Sequence, residues 1–243
     1  MKLILSGYGT MGKVVEELAI EKGHQIVGVF STINIENCPY QIISDAERLA
    51  NADAIIDFSH PNNTKRLLEG AKIHKLPIIV ATTGARDQLQ NLMNQASQYC
   101  PIFFSANMSY GVHVFTQALK YLTPLLSESF DIEIIERHHN KKIDAPSGTA
   151  IKLLEAIQEI DSSFIPIYDR SQTEHKRDKK EIGMSSIRGG TIVGEHEVLF
   201  AGTDEVIEIT HRAQSKRIFA DGSIKAAQKI KDFSAGFYTF SNL

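Results

Sequence analysis

The strongest constraint on the fold of this chain is an alternation in its first hundred residues. Short apolar runs, KLILSG from Lys2, QIVGVF from Gln25, AIIDFS from Ala54, PIIVAT from Pro77 and PIFFSA from Pro101, are separated by longer amphipathic stretches. The runs are candidate strands, and residues 11–22, 62–74 and 86–99 are candidate helices. In the second of these helices Leu67, Leu68 and Ala71, with Ile73 beside them, supply an apolar face at helical spacing. Strand and helix in alternation imply right-handed crossovers and a parallel sheet covered on both faces, which is a doubly wound α/β domain.

The first strand runs directly into GYGTMG, residues 7–12, which opens the first helix. The pattern GxGxxG is weak by itself, but its place between a strand and a helix is the one that binds dinucleotides. Gly7 permits the tight turn, Gly9 lets backbone approach a pyrophosphate, and Gly12 lets the helix pack close to the strand. The helix N-terminus then offers N–H groups and the positive end of its dipole to the phosphates. Tyr8, Thr10, Met11 and Lys13 complete this candidate cofactor loop. A carboxylate about 20 residues further on would bind the adenosine ribose of NAD. Here the second strand ends in VFSTIN, where Ser31 and Thr32 stand instead and no arginine awaits a 2′-phosphate. The sequence therefore leaves NADH and NADPH both open.

After Asn107 the pattern changes. A long helical stretch, residues 112–126, stops at SESFD, DIEIIE alternates like a strand, and a second helix follows DAPSGT with Ala150, Leu153, Leu154 and Ile157 on one face. Beyond the polar stretch RSQTEHKRDKKE, the runs EHEVLFA and EVIEITH joined by GTD read as a hairpin. The expected architecture is α/β: a Rossmann-like doubly wound parallel sheet in residues 1–107 and 216–243, and an α+β domain with an open mixed sheet in residues 108–215. The final segment, helical from about Lys216 and ending in GFYTFSNL, is expected to return to the first domain.

Composition narrows the classes of partner. The chain has 243 residues, enough for one large domain or two modest ones, with 42% hydrophobic and 23% charged residues. A net charge of -3 gives no overall field favouring nucleic acid or an anionic membrane, so an anionic ligand must be held by local cations. Cys38 and Cys100 form no metal-ligand spacing, the first apolar run LIL is too short for a secretory signal, and no stretch approaches the roughly 20 apolar residues of a membrane span. These features predict a cytoplasmic protein with two reduced thiols.

The densest chemistry lies in ERHHNKKIDAPSGTA, residues 136–150. Asp144 or Ser147 can cap the helix that begins there, leaving the Gly148 and Thr149 amides to face a carboxylate or phosphate. Lys142 adds a full positive charge, and the two imidazoles can exchange protons near neutral pH. Adjacent histidines at a strand end face opposite ways, so one can serve chemistry while the other binds. The same geometry argues against shared metal ligation, and no metal site is expected.

HHNKKIDAPSGTA resembles the signature of the 4-hydroxy-tetrahydrodipicolinate reductase family. DFSHP from Asp57, ATTG from Ala81, FSANMSYGV from Phe104 and SIRGGTIVGEHEVLFAGTDEVIEITHRAQS are similar to further segments of that family, so the resemblance spans essentially the whole chain. It implies reduction of a small cyclic dicarboxylate by NADH or NADPH, with His138 as proton donor and Lys142 as the second catalytic group. His139, Lys142, Gly148 and Thr149 are implied to bind substrate. The nicotinamide is implied to lie against Ala81, Thr82 and Thr83, with Phe58 along the cofactor and Ser105, Ala106, Asn107 and Met108 near the hinge. A homotetramer formed through the second sheet is implied likewise. Two alternatives remain at this stage: a dehydrogenase of another small acid, against which HHNKKIDAPSGT argues, and a non-catalytic NAD(P)H-binding redox sensor, against which the retained His138 and Lys142 argue.

Overall fold

The computed structural model describes residues 1–46, 49 and 51–243. The chain divides into two compact units, Met1–Ser109 with Lys216–Leu243, and Tyr110–Ser215.

The first unit is a parallel sheet of seven strands among the described residues. In chain order they are β1 (Lys2–Ser6), β2 (Gln25–Phe30), β3 (Ile42–Ile43), β4 (Ala54–Asp57), β5 (Ile78–Val80), β6 (Pro101–Phe104) and β12 (Gly236–Tyr238), arranged β12-β6-β5-β4-β1-β2-β3. Every neighbouring pair is parallel. Among the described residues four α-helices belong to this unit: α1 (Thr10–Glu21), α2 (Pro61–His74), α3 (Arg86–Ala96) and α6 (Arg217–Ile230). Because successive side chains of a strand point to opposite faces, Leu3, Leu5 and Ile56 pack with Val15 and Leu18 of α1 and Ile224 and Ile230 of α6. Ile4, Ile55, Ile78 and Ile102 pack on the other face with Leu67 and Leu68 of α2 and Leu89 and Met93 of α3. A sheet buried on both faces explains why its strands read as unbroken apolar runs.

The second unit carries the helices α4 (Tyr110–Leu126) and α5 (Gly148–Gln158) and five strands among the described residues. These are β7 (Asp131–His138), β8 (Ile165–Ile167), β9 (Glu181–Arg188), β10 (Gly194–Ala201) and β11 (Val206–Ala213), in the order β11-β10-β7-β9-β8. β10 runs antiparallel to β7 and β11, whereas β7, β8 and β9 are mutually parallel, so the sheet is mixed. Ile132, Ile134, Ile182, Val198 and Phe200 form its core with Phe115 and Leu119 of α4 and Leu153 and Leu154 of α5. The alternation along β7 therefore turns Glu136 and His138 inward, while Glu133, Ile135 and Arg137 are only half-buried on the opposite face. An ion pair from Arg137 to Glu197 at 2.8 Å crosses that open face.

The fold class is the one the sequence predicts, a Rossmann-like parallel sheet and a second mixed sheet, with three differences in detail. The edge strands β3 and β12 are additional to the five predicted in the first unit. Ile73 is 62% exposed, because the apolar stripe of α2 is completed by Thr64 and Gly70. Of the two candidate caps for α5, Ser147 is the one used: its hydroxyl accepts from the Ala150 N–H at 3.1 Å. Among the described residues no helix is long and apolar enough to cross a membrane.

Candidate active site

The glycine-rich turn in the first unit has the shape of a phosphate cradle. Gly7 sits at φ +83°, and a Cβ on it would meet the Phe58 carbonyl oxygen at 2.8 Å. A Cβ on Gly12 would lie 2.2 Å from the Gly7 oxygen, so the crossing of helix and turn requires glycine there. Gly9 differs: its Cβ position meets nothing within 4 Å. Gly9 is also the N-cap of α1, where no side chain caps the helix and no acidic residue occupies the first turn. An open approach to first-turn N–H groups lacking a side-chain cap fits a dinucleotide pyrophosphate. Tyr8 turns its hydroxyl onto Glu16 at 2.5 Å, Glu16 also accepts from Tyr40 at 2.7 Å, and the Lys13 ammonium lies 5.9 Å from the Tyr8 ring centroid.

Beside this turn Met11, Phe58, Ala81, Ala106, Asn107 and Met108 line a cavity of about 270 Å³ together with Lys216 and Phe219. Six of the predicted cofactor residues thus share one cavity. Thr82, Thr83 and Ser105 are not among its lining. The Thr82 hydroxyl is buried and donates to Asp57 at 3.0 Å, Ser105 donates to the Asn107 carbonyl at 2.6 Å, and Thr83 is exposed. The sequence reading missed Lys216, the one charged side chain of this lining, and Asp57, which organises the crevice. Asp57 is fully buried and accepts from Ser59 Oγ at 2.6 Å, Thr64 Oγ1 at 2.6 Å and Thr82 Oγ1 at 3.0 Å, tying β4, α2 and the end of β5 together. Burial pushes its carboxyl above the usual range, opposed by those hydroxyl donors. At the end of β2, Ser31 bonds within its own turn and Thr32 donates to Asn63 at 2.9 Å, so neither carries a charge that selects between cofactors.

The second unit gathers the proton-transfer candidates. Glu136, His138 and Arg188 meet where β7 and β9 end, His138 and Arg188 being register partners. His138 Nδ1 lies 2.5 Å from Glu136 Oε2, and Arg188 forks onto both Glu136 oxygens at 2.8 and 2.6 Å. The Ser147 N–H donates to Glu136 Oε1 at 3.2 Å, which ties the start of α5 to the same carboxylate. Burial pushes the Glu136 carboxyl up, but the bonds from Arg188 and His138 outweigh it and hold it at about 2. Burial likewise lowers His138, with Lys142 and Arg188 adding to the effect and Glu136 opposing it. The pair is therefore a carboxylate and a neutral imidazole near neutral pH.

His196 of β10 stacks edge-on against His138 with centroids 5.1 Å apart, and its Nε2 lies 2.8 Å from Ser147 Oγ. Burial next to His138 brings His196 down to about 4. Lys142 lies on the turn after β7 and bonds to both Asp144 oxygens at 2.7 and 2.9 Å, while the Asp144 carbonyl accepts from Arg188 at 2.6 Å. His139 is half-buried with an unpartnered Nδ1, and Gly148 opens onto free space at the first turn of α5. His138, His139, Lys142 and Gly148 thus fall within one short stretch of chain around the start of α5, where Thr149 follows. Glu136, Arg188 and His196 were missed because their partners are remote in sequence. The two-residue spacing of Glu136 and His138 on an alternating strand was the available signal.

Two family models divide the chain between them. "Dihydrodipicolinate reductase, N-terminus" matches residues 1–108, and "Dihydrodipicolinate reductase, C-terminus" matches residues 111–243. The chain belongs to the dihydrodipicolinate reductase family. The 4-hydroxy-tetrahydrodipicolinate reductases of Staphylococcus aureus strains MSSA476 and MRSA252 are 54% and 53% identical to it, over all of both chains. Membership of this reductase family makes the chain an oxidoreductase with a nicotinamide-dinucleotide domain. The fold is shared with the dipicolinate-bound dihydrodipicolinate reductase of Paenisporosarcina sp. TG-14, at a TM-score of 0.79 and 19% identity, covering 100% of this chain and 99% of that one. The diaminopimelate dehydrogenase of C. glutamicum also resembles it in fold, with a TM-score of 0.60 at 14% identity, covering 99% and 92%. The second family model runs on to residue 243, whereas in the folded chain Lys216–Leu243 joins the first unit.

Proposed function

We propose that this chain reduces 4-hydroxy-tetrahydrodipicolinate to tetrahydrodipicolinate, with loss of water, in lysine and diaminopimelate biosynthesis. The observation that carries the proposal is the grouping of a neutral, carboxylate-anchored imidazole at His138 with the Lys142 ammonium and the first turn of α5, in a chain of this family. A small cyclic dicarboxylate needs paired anion sites and one proton source, and this cluster supplies both. The S. aureus relatives bear the name of that reaction, and the Paenisporosarcina protein holds dipicolinate, itself a cyclic dicarboxylate.

Reduced NADH or NADPH, when bound, supplies the hydride. The α1 turn at residues 7–12 would hold its pyrophosphate, with Phe58, Ala81 and Asn107 along its path. Lys142 exchanges its Asp144 partner for a substrate carboxylate, and the Gly148 and Thr149 amides take the other with His139. His138 accepts a proton at Nε2 and passes it to the reduced ring. Its lowered proton affinity makes the imidazolium a better proton donor than an ordinary histidine. Assembly as a homotetramer through the open face of the second sheet, and a cytoplasmic location, belong to the same proposal.

The test follows loss of reduced-nicotinamide absorbance, with substrate generated in situ from pyruvate and aspartate semialdehyde by the preceding synthase. NADH and NADPH are compared, with His138→Gln and Lys142→Ala as variants. The expected outcome is rapid oxidation by the unmodified chain. His138→Gln should lose about a hundredfold or more in kcat, and Lys142→Ala should lower kcat as well as raise KM. Unchanged turnover in His138→Gln would remove the proton-donor role.

A further inference from the structure

The carboxylate behind His138 has no assigned part in the reaction, yet it is the most heavily bonded side chain of the cluster. Glu136 is 1% exposed and takes five contacts: the His138 ring, the two terminal guanidinium nitrogens of Arg188, the Ser147 N–H and the Ser186 side chain. An ionised carboxylate only accepts hydrogen bonds, so the ring nitrogen facing it must carry the hydrogen. That assigns N–H to Nδ1 of His138 and leaves Nε2 as the nitrogen that gains and loses the proton.

We propose that Glu136 is the positioning residue of His138 and that Arg188 is its counterweight, so that the ring is held in one tautomer without being converted into a permanent imidazolium. The inference rests on the assignment of His138 as proton donor. A lone buried carboxylate 2.5 Å from an imidazole would favour the protonated ring, and a ring that never releases its proton donates nothing. The bidentate fork from Arg188 shares the Glu136 charge and prevents that outcome. The same guanidinium also reaches the Asp144 carbonyl, so the clamp extends to the turn bearing Lys142.

The charged and titratable groups around His138 set the expected signs. Glu136 on β7 raises its proton affinity, and Arg188 on β9 and Lys142 on the following turn lower it. His196 on β10 lies against the ring and is itself neutral near pH 7, with His211 of β11 opposite it in register. The cap of α5, Ser147, is uncharged and reaches Glu136 through its N–H. Deleting the two charges of the clamp must therefore move His138 in opposite directions, which loss of packing does not do.

The experiment is a nitrogen-15 NMR titration of the His138 ring in the full chain, run beside the pH profile of kcat and KM. In the unmodified protein the shifts should report hydrogen on Nδ1 and a bare Nε2; the reverse tautomer overturns the proposal without any variant. Glu136→Gln should lower the titration of His138 by about one unit and Arg188→Gln should raise it by about one unit. Arg188→Lys, which keeps the charge but loses the fork, should return it most of the way. The basic limb of the kcat profile should follow the same shifts while KM changes little. Shifts of the same sign in Glu136→Gln and Arg188→Gln, or none in either, overturn the clamp. A chain that shows the tautomer and the opposed shifts but turns over no substrate overturns the proposed reaction instead, and the clamp stands.

Discussion

His196 and Ser147 are joined by a buried contact of 2.8 Å between Nε2 and Oγ, linking the centre of the mixed sheet to the cap of α5. The same Ser147 oxygen accepts from Ala150 N–H, so the imidazole supports the helix start on which the anion site depends. Burial brings the folded His196 down to about 4 from an ordinary 6.5, so the unfolded chain binds this proton first as pH falls. Its contribution is complete above about 6.5, declines by about 1 kcal/mol per unit down to about 4, and is level below that. Chemical-denaturant unfolding over a pH series should show this slope, and His196→Gln should flatten it. An equal slope in both proteins would mean that other histidines carry it.

Gly9 and Gly12 should behave oppositely when a methyl group is added. Gly12→Ala places Cβ 2.2 Å from the Gly7 oxygen and should lower the melting temperature as well as dinucleotide binding. Gly9→Ala meets no protein atom within 4 Å and should change stability by less than about 0.5 kcal/mol. Its effect should fall on the cofactor, with Kd raised roughly tenfold or more, or ~1.4 kcal/mol. Calorimetric titration with NADH beside a thermal melt separates the two, and normal cofactor affinity in Gly9→Ala would remove the pyrophosphate from this turn.

Gly194, the first residue of β10, lies beside the working end of His138: a Cβ there would stand 3.0 Å from Nε2. Gly194→Ala should tilt the ring and lower kcat by about tenfold or more, since small displacements of a proton-transfer group are costly. The melting temperature should change much less than kcat. Steady-state kinetics and a thermal melt of this variant decide the matter, and unchanged kcat would show that Nε2 works from a different ring position.

Asp57→Ala would leave the hydroxyls of Ser59, Thr64 and Thr82 without their shared acceptor. The expected loss is about 3 kcal/mol of stability, read from denaturant unfolding, with weaker cofactor binding because Ser59 lies against Gly7 of the glycine turn. A loss within the range of an ordinary surface substitution would show that these hydroxyls find other partners.

The elements that sequence reveals here are those with long, regular patterns. β1, the glycine turn and α1 are legible because a buried strand, a sterically demanded Gly7 and an amphipathic helix leave signals in adjacent residues. β3 is two residues long and β12 three, too short for any periodicity, and both stand at sheet edges where pairing partners decide. In the second unit the histidine–lysine stretch is readable as a contiguous motif. The contacts that tune it come from Arg188, 52 residues from Glu136, and from His196, 49 residues from Ser147, which only strand pairing brings near. Thr82 and Ser105 show the converse: they stand in readable motifs, yet their hydroxyls are spent on Asp57 and the Asn107 carbonyl.

The return of the chain end to the first sheet matters for how the protein is made. β12 pairs with β6 through residues 236–238, and α6 supplies Ala220, Ile224, Ala227 and Ile230 to one face of that sheet. During synthesis the nucleotide-binding half therefore emerges first and is finished last, after the whole inserted second unit has left the ribosome. Until then the β1–β6 sheet has only α1, and not α6, on the side bearing Leu3, Leu5 and Ile56. Nascent chains stalled before about residue 216 should be recognised by chaperones as unfinished, and loss of residues 216–243 would damage a sheet built mostly from residues 2–104.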